Sequence, residues 1–451
     1  MSELTSVGET AASDGTQGED AGLETLAAPR RWVERPALRQ DVASGELDAY
    51  FDEQRTATWA DLFLDLLVVA NVASLGSSFA EASGHLGPLF VYVIQAATLF
   101  WYWTLIQGYM NRFDNEDAFH SCLSFVFCVL FALQCAATNA CHLSACRSFG
   151  FILLVMRSVY VLVLIRISVQ LPRAREWCIG KIITSLIVMG ILLFGAFFHR
   201  EVAFWAGALV VDMMSHVYPI AKLIFPDYRF PPIHIELFEE RIGLIVLIAI
   251  GETIVSSTHI ETITMGSMTN AVLVVTVAFI YKLGYFGNAQ GRRERGVVVA
   301  LRRTKKWSAT FLFLHVILFV AIVLSGHVLE QILEHDSQAM RWIFCSAVAS
   351  TNTCLALLQM MHKGLGKGVR ACSLQVRISA RIAASAAVAL LPLISIHNIS
   401  STMLLVLVVA VLGAVVLVDS FGARVTAKHR GVRTSQSSSM LDSPLMQTGV
   451  F

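Results

Sequence analysis

The chain has 451 residues, a formal net charge of +1, 55% apolar residues and only 15% charged ones. That is too oily for one water-soluble core and ordinary for helices surrounded by lipid. The near-zero charge excludes the global field that draws nucleic acid, so the basic residues are read as determinants of topology.

Residues 1–56 are polar and rich in Gly, Ser, Glu and Asp, without an apolar stretch of the signal-peptide kind; they are predicted to be a disordered cytoplasmic tail. Apolar stretches of membrane-crossing length follow near 59–80, 88–110, 119–140, 149–170, 179–198, 202–222, 238–259, 268–287, 309–330, 340–361, 374–396 and 401–421. They predict an all-α polytopic membrane protein of about twelve transmembrane helices, with the membrane domain spanning 57–421. Residues 422–451, with Lys428, Arg430, Arg433 and a serine run, are predicted to be a second disordered cytoplasmic tail.

Arg112, Arg173 with Arg175, Lys222 with Arg229, the group from Arg292 to Lys306, and Lys363, Lys367 and Arg370 all fall in alternate connections. The opposite connections hold little beyond Arg147 and Arg200, and the one around Glu330, Glu334 and Asp336 is acidic. This bias places both termini in the cytoplasm, in either the plasma membrane or an intracellular one. Asn398–Ile399–Ser400 then lies in a short external turn as an N-glycosylation pattern. Cys135, Cys141 and Cys146 approach the external end of the third stretch, where a disulfide or metal contact competes with plain helix packing.

Ionisable residues inside apolar stretches carry the functional signal, because hydrocarbon rejects them. Asp61 and Asp65 are one turn apart in the first helix, and Arg112, Asp114 and Asp117 crowd the end of the second. They form either an acidic entrance to a cation or proton pathway or a set of interfacial ion pairs. Arg157 needs a protein partner in the fourth helix, and Asp212 is a candidate. Asp212 and His216, one turn apart, give a geometry for proton transfer or an internal brace. After Pro231–Pro232, the run Glu236, Glu239, Glu240, Arg241 opens a helix whose positive dipole end favours acids. Glu252 is sixteen residues beyond Glu236, roughly 24 Å along a helix, too deep for capping. The acid spacing Asp61–Asp65 and Glu236–Glu240 suggests two parallel halves, 57–225 and 230–421, of six helices each.

Three segments carry a family resemblance: Thr58–Trp59–Ala60–Asp61–Leu62–Phe63–Leu64–Asp65, Asn111–Arg112–Phe113–Asp114–Asn115–Glu116–Asp117, and Glu239–Glu240–Arg241–Ile242–Gly243–Leu244 leading to Gly251–Glu252. In that order they resemble the bacterial low temperature requirement A family, with Asp61 standing where the family usually has Glu and Leu64 where it has an aromatic residue. The resemblance implies a multipass membrane protein and marks Asp61, Asp65, Asp114, Asp117, Glu240 and Glu252, with Arg112 and Arg241, as its characteristic charged positions.

From the residues, the expected function is a transporter or channel-like permease for protons or small cations, with Asp61, Asp65, Asp212, His216, Glu240 and Glu252 along a polar pathway and Arg112, Asp114, Asp117, Arg157 and Arg241 as charge partners. The alternative is a membrane scaffold or stress-related signalling component without transport. No nucleotide, metalloprotease or hydrolase motif points to an enzyme, and no metal or cofactor motif is present in the sequence. Membrane lipids are the expected partners, and no oligomeric state follows from the chain.

Overall fold

The computed structural model describes residues 59–81, 86–113, 117–141, 147–225, 231, 233–255, 264–287, 300–302, 305–361, 371–394 and 399–419. Both tails, Asp114, Cys146, Asn398 and the basic run 288–299 lie outside them. Among the described residues the long helices are α1 (Trp59–Glu81), α2 (Leu86–Arg112), α3 (Ala118–Cys141), α4 (Arg147–Gln170), α5 (Arg175–Phe198), α6 (Glu201–Val217), α7 (Ile235–Val255), α8 (Met265–Phe286), α9 (Lys305–Glu334), α10 (Gln338–Met361), α11 (Ala371–Leu390) and α12 (Ser401–Asp419).

Ten of these helices are long and apolar enough to cross a membrane. The other two are α6, with 17 residues, and α7, interrupted by Glu236, Glu239, Glu240, Arg241 and Glu252. The expected sixth stretch to 222 ends early, because Pro219 lacks an N–H and pushes Tyr218 out of helical geometry (φ −120°, ψ 79°). Likewise α11 stops at Leu390, and Pro392 turns the chain through a single 3₁₀ turn.

Polar locks at helix ends set the register. Thr264 Oγ1 accepts from the N–H of Ser267 (3.1 Å) and Ser267 Oγ accepts from the N–H of Thr264 (2.8 Å), a reciprocal cap that starts α8. Arg341, at the start of α10, holds Asp336 and donates to the carbonyl of Ile399 (2.9 Å), tying the α9–α10 corner to the approach of α12.

In the first six helices α1 packs on α2 and α3, α3 on α4, α4 on α5, and α5 on α6. In the second six, α7 packs on α8 and α9, α9 on α10, and α10 on α11. Arg377 and Arg381 of α11 pair with Asp419 of α12. The two sets join through α1, α2 and α6 on one side and α7 and α9 on the other. Helices α2 and α9 are the most enclosed, whereas α5, α8, α11 and α12 are peripheral.

The outer faces present Phe63, Phe125, Phe151, Phe194, Phe197 and Phe279 without cover. So many exposed aromatic residues are incompatible with water and match the acyl chains of a bilayer. Cys122, Cys128, Cys135, Cys178, Cys345 and Cys354 are free thiols, while Cys141 is disulfide-bonded. Among the described residues no group of three or more His, Cys, Asp or Glu could hold a metal ion.

Glycine permits one close approach. A Cβ on Gly180 of α5 would meet the Cβ of Ala221 at 2.5 Å and its backbone nitrogen at 3.0 Å, so the short helix Ala221–Ile224 can lie directly on α5. Gly180→Val should therefore cost about 1–3 kcal/mol through overpacking, read as a lowered apparent Tm of the purified protein, whereas the same change at Gly190, which has open space around it, should leave Tm nearly unchanged.

Candidate functional site

The apolar stripe Leu64, Val68, Val72 and Leu75 turns one face of α1 into the bundle and carries Asp65 with it, leaving that residue 3% exposed. Trp103 Nε1 of α2 donates to Asp65 Oδ1 (2.9 Å), and Arg241 Nη2 of α7 pairs with the same oxygen (2.8 Å). Arg241 Nη2 also donates to the backbone carbonyl of Asp61 (2.8 Å). A carboxylate and a guanidinium removed from water need such charge-assisted bonds to offset desolvation. Asp65 Oδ2 and Arg241 Nε and Nη1 nevertheless have no hydrogen-bond partner within the protein.

A second buried group joins α2, α4, α5 and α6. Arg157 pairs with Asp212, whose Oδ2 also accepts from Trp101 Nε1 (2.9 Å). The Arg157 guanidinium lies 5.1 Å from the Tyr102 ring centroid. A cavity of ≈ 10 Å³ beside the pair is lined in part by Thr98, Trp101, Arg157, Trp205 and Asp212. Asp212 and His216 do not pair through their side chains: the carboxylate is turned to Arg157 and Trp101, and His216 Nδ1 lies 3.3 Å from the Asp212 carbonyl oxygen. The sequence reading missed Lys181, which is buried next to Ser215 and His216 at 3.4 Å from each.

The third group stands nearer the opposite face. Glu252 of α7 and His327 of α9 approach with 3.7 Å between Oε1 and Nε2, and the Tyr92 hydroxyl of α2 bonds His327 Nδ1 at 2.9 Å. His327 Nε2 has no hydrogen-bond partner of its own. Gly76 of α1 makes room for this imidazole, since a Cβ there would come within 2.6 Å of Nε2. The Phe79 ring packs edge-on against Tyr92.

The run beginning at Asn111 is a corner lock. Asn111 Oδ1 accepts from the N–H of His234 (2.7 Å) and its Nδ2 donates to the His234 carbonyl (3.1 Å), while His234 Nδ1 accepts from the N–H of Leu237 and caps α7. Asp117 caps α3 by accepting from the N–H of His120 (2.9 Å), contacts the His120 ring, and lies 3.6 Å from Arg166. Arg112 bonds the carbonyl of Gly108 (2.5 Å) and lies 5.1 Å from the Trp177 ring centroid. Tyr109 Oη meets His120 Nε2 at 2.6 Å.

Two sequence expectations change. Glu240 is exposed and turned away from the interior. The acid spacing shared by α1 and α7 also falls in different registers, with Phe63 of the first motif 57% exposed and Phe238 of the second 4% exposed. Asp65 and Glu240 are therefore not equivalent positions.

The sequence profile described as bacterial low temperature requirement A protein matches residues 56–417. The chain belongs to this family. The match runs from just before α1 almost to the end of α12, so it embraces all three buried groups and both sets of helices. No curated protein and no solved structure matches the chain.

In this family member the Arg157–Asp212 pair provides a stability test. Arg157→Met or Asp212→Leu alone strands a buried charge and should cost about 3–5 kcal/mol. The double variant should recover most of that loss when apparent Tm values of the purified proteins are compared as a double-mutant cycle.

Proposed function

We propose that this member of the low temperature requirement A family is a permease for protons or small cations, built from two parallel halves of six helices. In this reading α6 and α7 also cross the membrane, giving twelve spans, and both termini are cytoplasmic. The exposed position of Glu240 and the carboxylate orientation of Asp212 confine the pathway to Asp65, Arg241, Glu252, His327 and the α2 face between them.

The observation that carries the proposal is two polar layers that share α2 and α7, one completed by α1 and the other by α9. Asp65, Trp103 and Arg241 form one layer, and Tyr92, Glu252 and His327 the other. Arg241 and Glu252 are separated by roughly 16 Å along α7. Between the layers α2 places Gln95, both of whose amide atoms are buried without a partner. Unmet polar atoms in an enclosed helix are sites for water, and ionisable groups in line with them supply the charge exchange a proton or cation needs. A scaffold has no use for such atoms at its centre.

The halves are supported by matched packing and by a repeated side-chain pair. Tyr109 at the end of α2 meets His120 in the first turn of α3, and Tyr285 at the end of α8 meets His315, which lies deeper in α9 (2.9 Å). Parallel repeats of this kind occur in secondary transporters, with sites at their interface.

Glu252→Gln preserves shape and removes the ionisable proton. In proteoliposomes loaded with a pH-sensitive dye it should reduce proton or cation-coupled flux at least tenfold, whereas Glu240→Gln should leave flux near the wild-type rate. Equal flux from wild type and Glu252→Gln for protons, sodium and potassium would remove the proposed pathway.

A further inference from the structure

Lys181 of α5 is only 9% exposed and makes no ion pair among the described residues. Its Nζ donates to Ser215 Oγ (3.4 Å) and lies 3.4 Å from His216 Nδ1, both in the last turn of α6. Ser215 uses its hydroxyl hydrogen on the Asp212 carbonyl (2.7 Å), so its oxygen meets Lys181 as an acceptor. The Asp212 carboxylate is held by Arg157 and Trp101 and bonds neither base. Two bases therefore stand side by side in the interior without an acid of their own.

His216 Nδ1 has two neighbours of opposite demand. Lys181 Nζ can donate to it, whereas the Asp212 carbonyl oxygen, 3.3 Å away, can only accept from it. With the proton on Lys181, the ammonium donates to a bare Nδ1. With the proton on His216, Nδ1–H donates to the carbonyl and the neutral amine keeps Ser215. Both arrangements satisfy the groups present, and they differ by one N–H bond broken at Nζ and one formed at Nδ1. The C-terminal end of α6 favours one positive charge here. A second would stand 3.4 Å from the first with no carboxylate between them. Arg157 on α4 and Arg112 on α2 add positive charge, and Asp212 on α6 opposes it. Tyr160 and Cys178 belong to the same cluster, and Lys222 on the short helix after α6 is exposed. Trp101, whose ring centroid is 4.8 Å from that of His216, packs in turn on Phe313 of α9.

We infer that Lys181 and His216 form a proton-binding pair that holds one proton and passes it between Nζ and Nδ1. The partnership expected between the Asp212 and His216 side chains is replaced by one with Lys181, and Asp212 contributes its backbone carbonyl. His216 is the partly exposed member, one turn from the point where Tyr218 leaves helical geometry, and Lys181 is the enclosed one. The assignment rests on the permease reading only where it makes this proton part of a transport cycle; proton binding stands on the geometry of the pair.

The test is nitrogen NMR of the purified full chain in detergent with isotope-labelled histidine, the His216 signals being identified by their loss in His216→Gln. In wild type the neutral ring should carry its hydrogen on Nε2, with Nδ1 bare. Lys181→Met removes the donor and leaves the Asp212 carbonyl beside Nδ1, so the neutral ring should move its hydrogen to Nδ1. Lys181→Gln keeps an N–H donor without the ammonium charge and should retain the wild-type tautomer. In both variants His216 should take up its proton at a pH about one unit or more higher, because no ammonium opposes it. Either variant decides the titration should the other fail to fold. A wild-type ring neutral with its hydrogen on Nδ1, or the same titration with and without Lys181, would overturn the inference. The expected titrations with no proton flux in wild-type proteoliposomes would uphold the pair and remove the permease reading. Wild-type proton flux with His216 titrating identically in the variants would uphold the permease and remove the pair.

Discussion

The pairing of Asp65 with Arg241 is the constraint on which the interior depends. One charge comes from the first helix and the other from the seventh, and neither can face acyl chains without a large desolvation cost. Their contact brings α1 and α7 together, and Trp103 adds α2 through the same carboxylate. Once these three helices are fixed near one face, Gly76, Tyr92 and Glu252 are carried to a common level near the other, where α9 adds His327. The pair thus positions chemistry at a layer it does not touch.

The corner at Asn111–Asp117 serves the same interior from outside it. Asn111 holds the start of α7 through two bonds to the His234 backbone, while Asp117 caps α3 and reaches Arg166 on α4. Four helices are thereby aligned by short polar side chains. A family signature in this connection has a packing reason as direct as any catalytic one: shorten or discharge these residues and the depth of Arg241 changes with them.

The helices were legible because a run of about twenty apolar residues declares itself without tertiary information. Their ends were less so, and α6 stops at a proline that a hydropathy pattern overlooks. Arg157 and Asp212 were readable as partners because each is intolerable alone in lipid. The acid spacings misled for a geometric reason: residues one turn apart share a helix face, yet the face of Glu236 and Glu240 is the outer one, and the Asp212 carboxylate turns to neighbouring helices instead of His216. The meeting of Tyr92, Glu252 and His327 was not legible, since three helices distant in sequence contribute one residue each and no spacing rule links them. Gln95 gave no signal at all, because an unmet amide is defined by what surrounds it.

The account depends on water reaching the interior between the two polar layers while the outer faces remain in lipid. In a chain whose cysteines other than those of the Cys141 disulfide are replaced, Cys372 included, Gln95→Cys and the outward-facing Phe90→Cys can be compared for reaction with a small charged thiol reagent in intact membranes. The account predicts that Gln95→Cys is modified and that an excess of protons at the face nearer Glu252 alters the rate, with Phe90→Cys inert. Modification at Phe90 with none at Gln95 would contradict it.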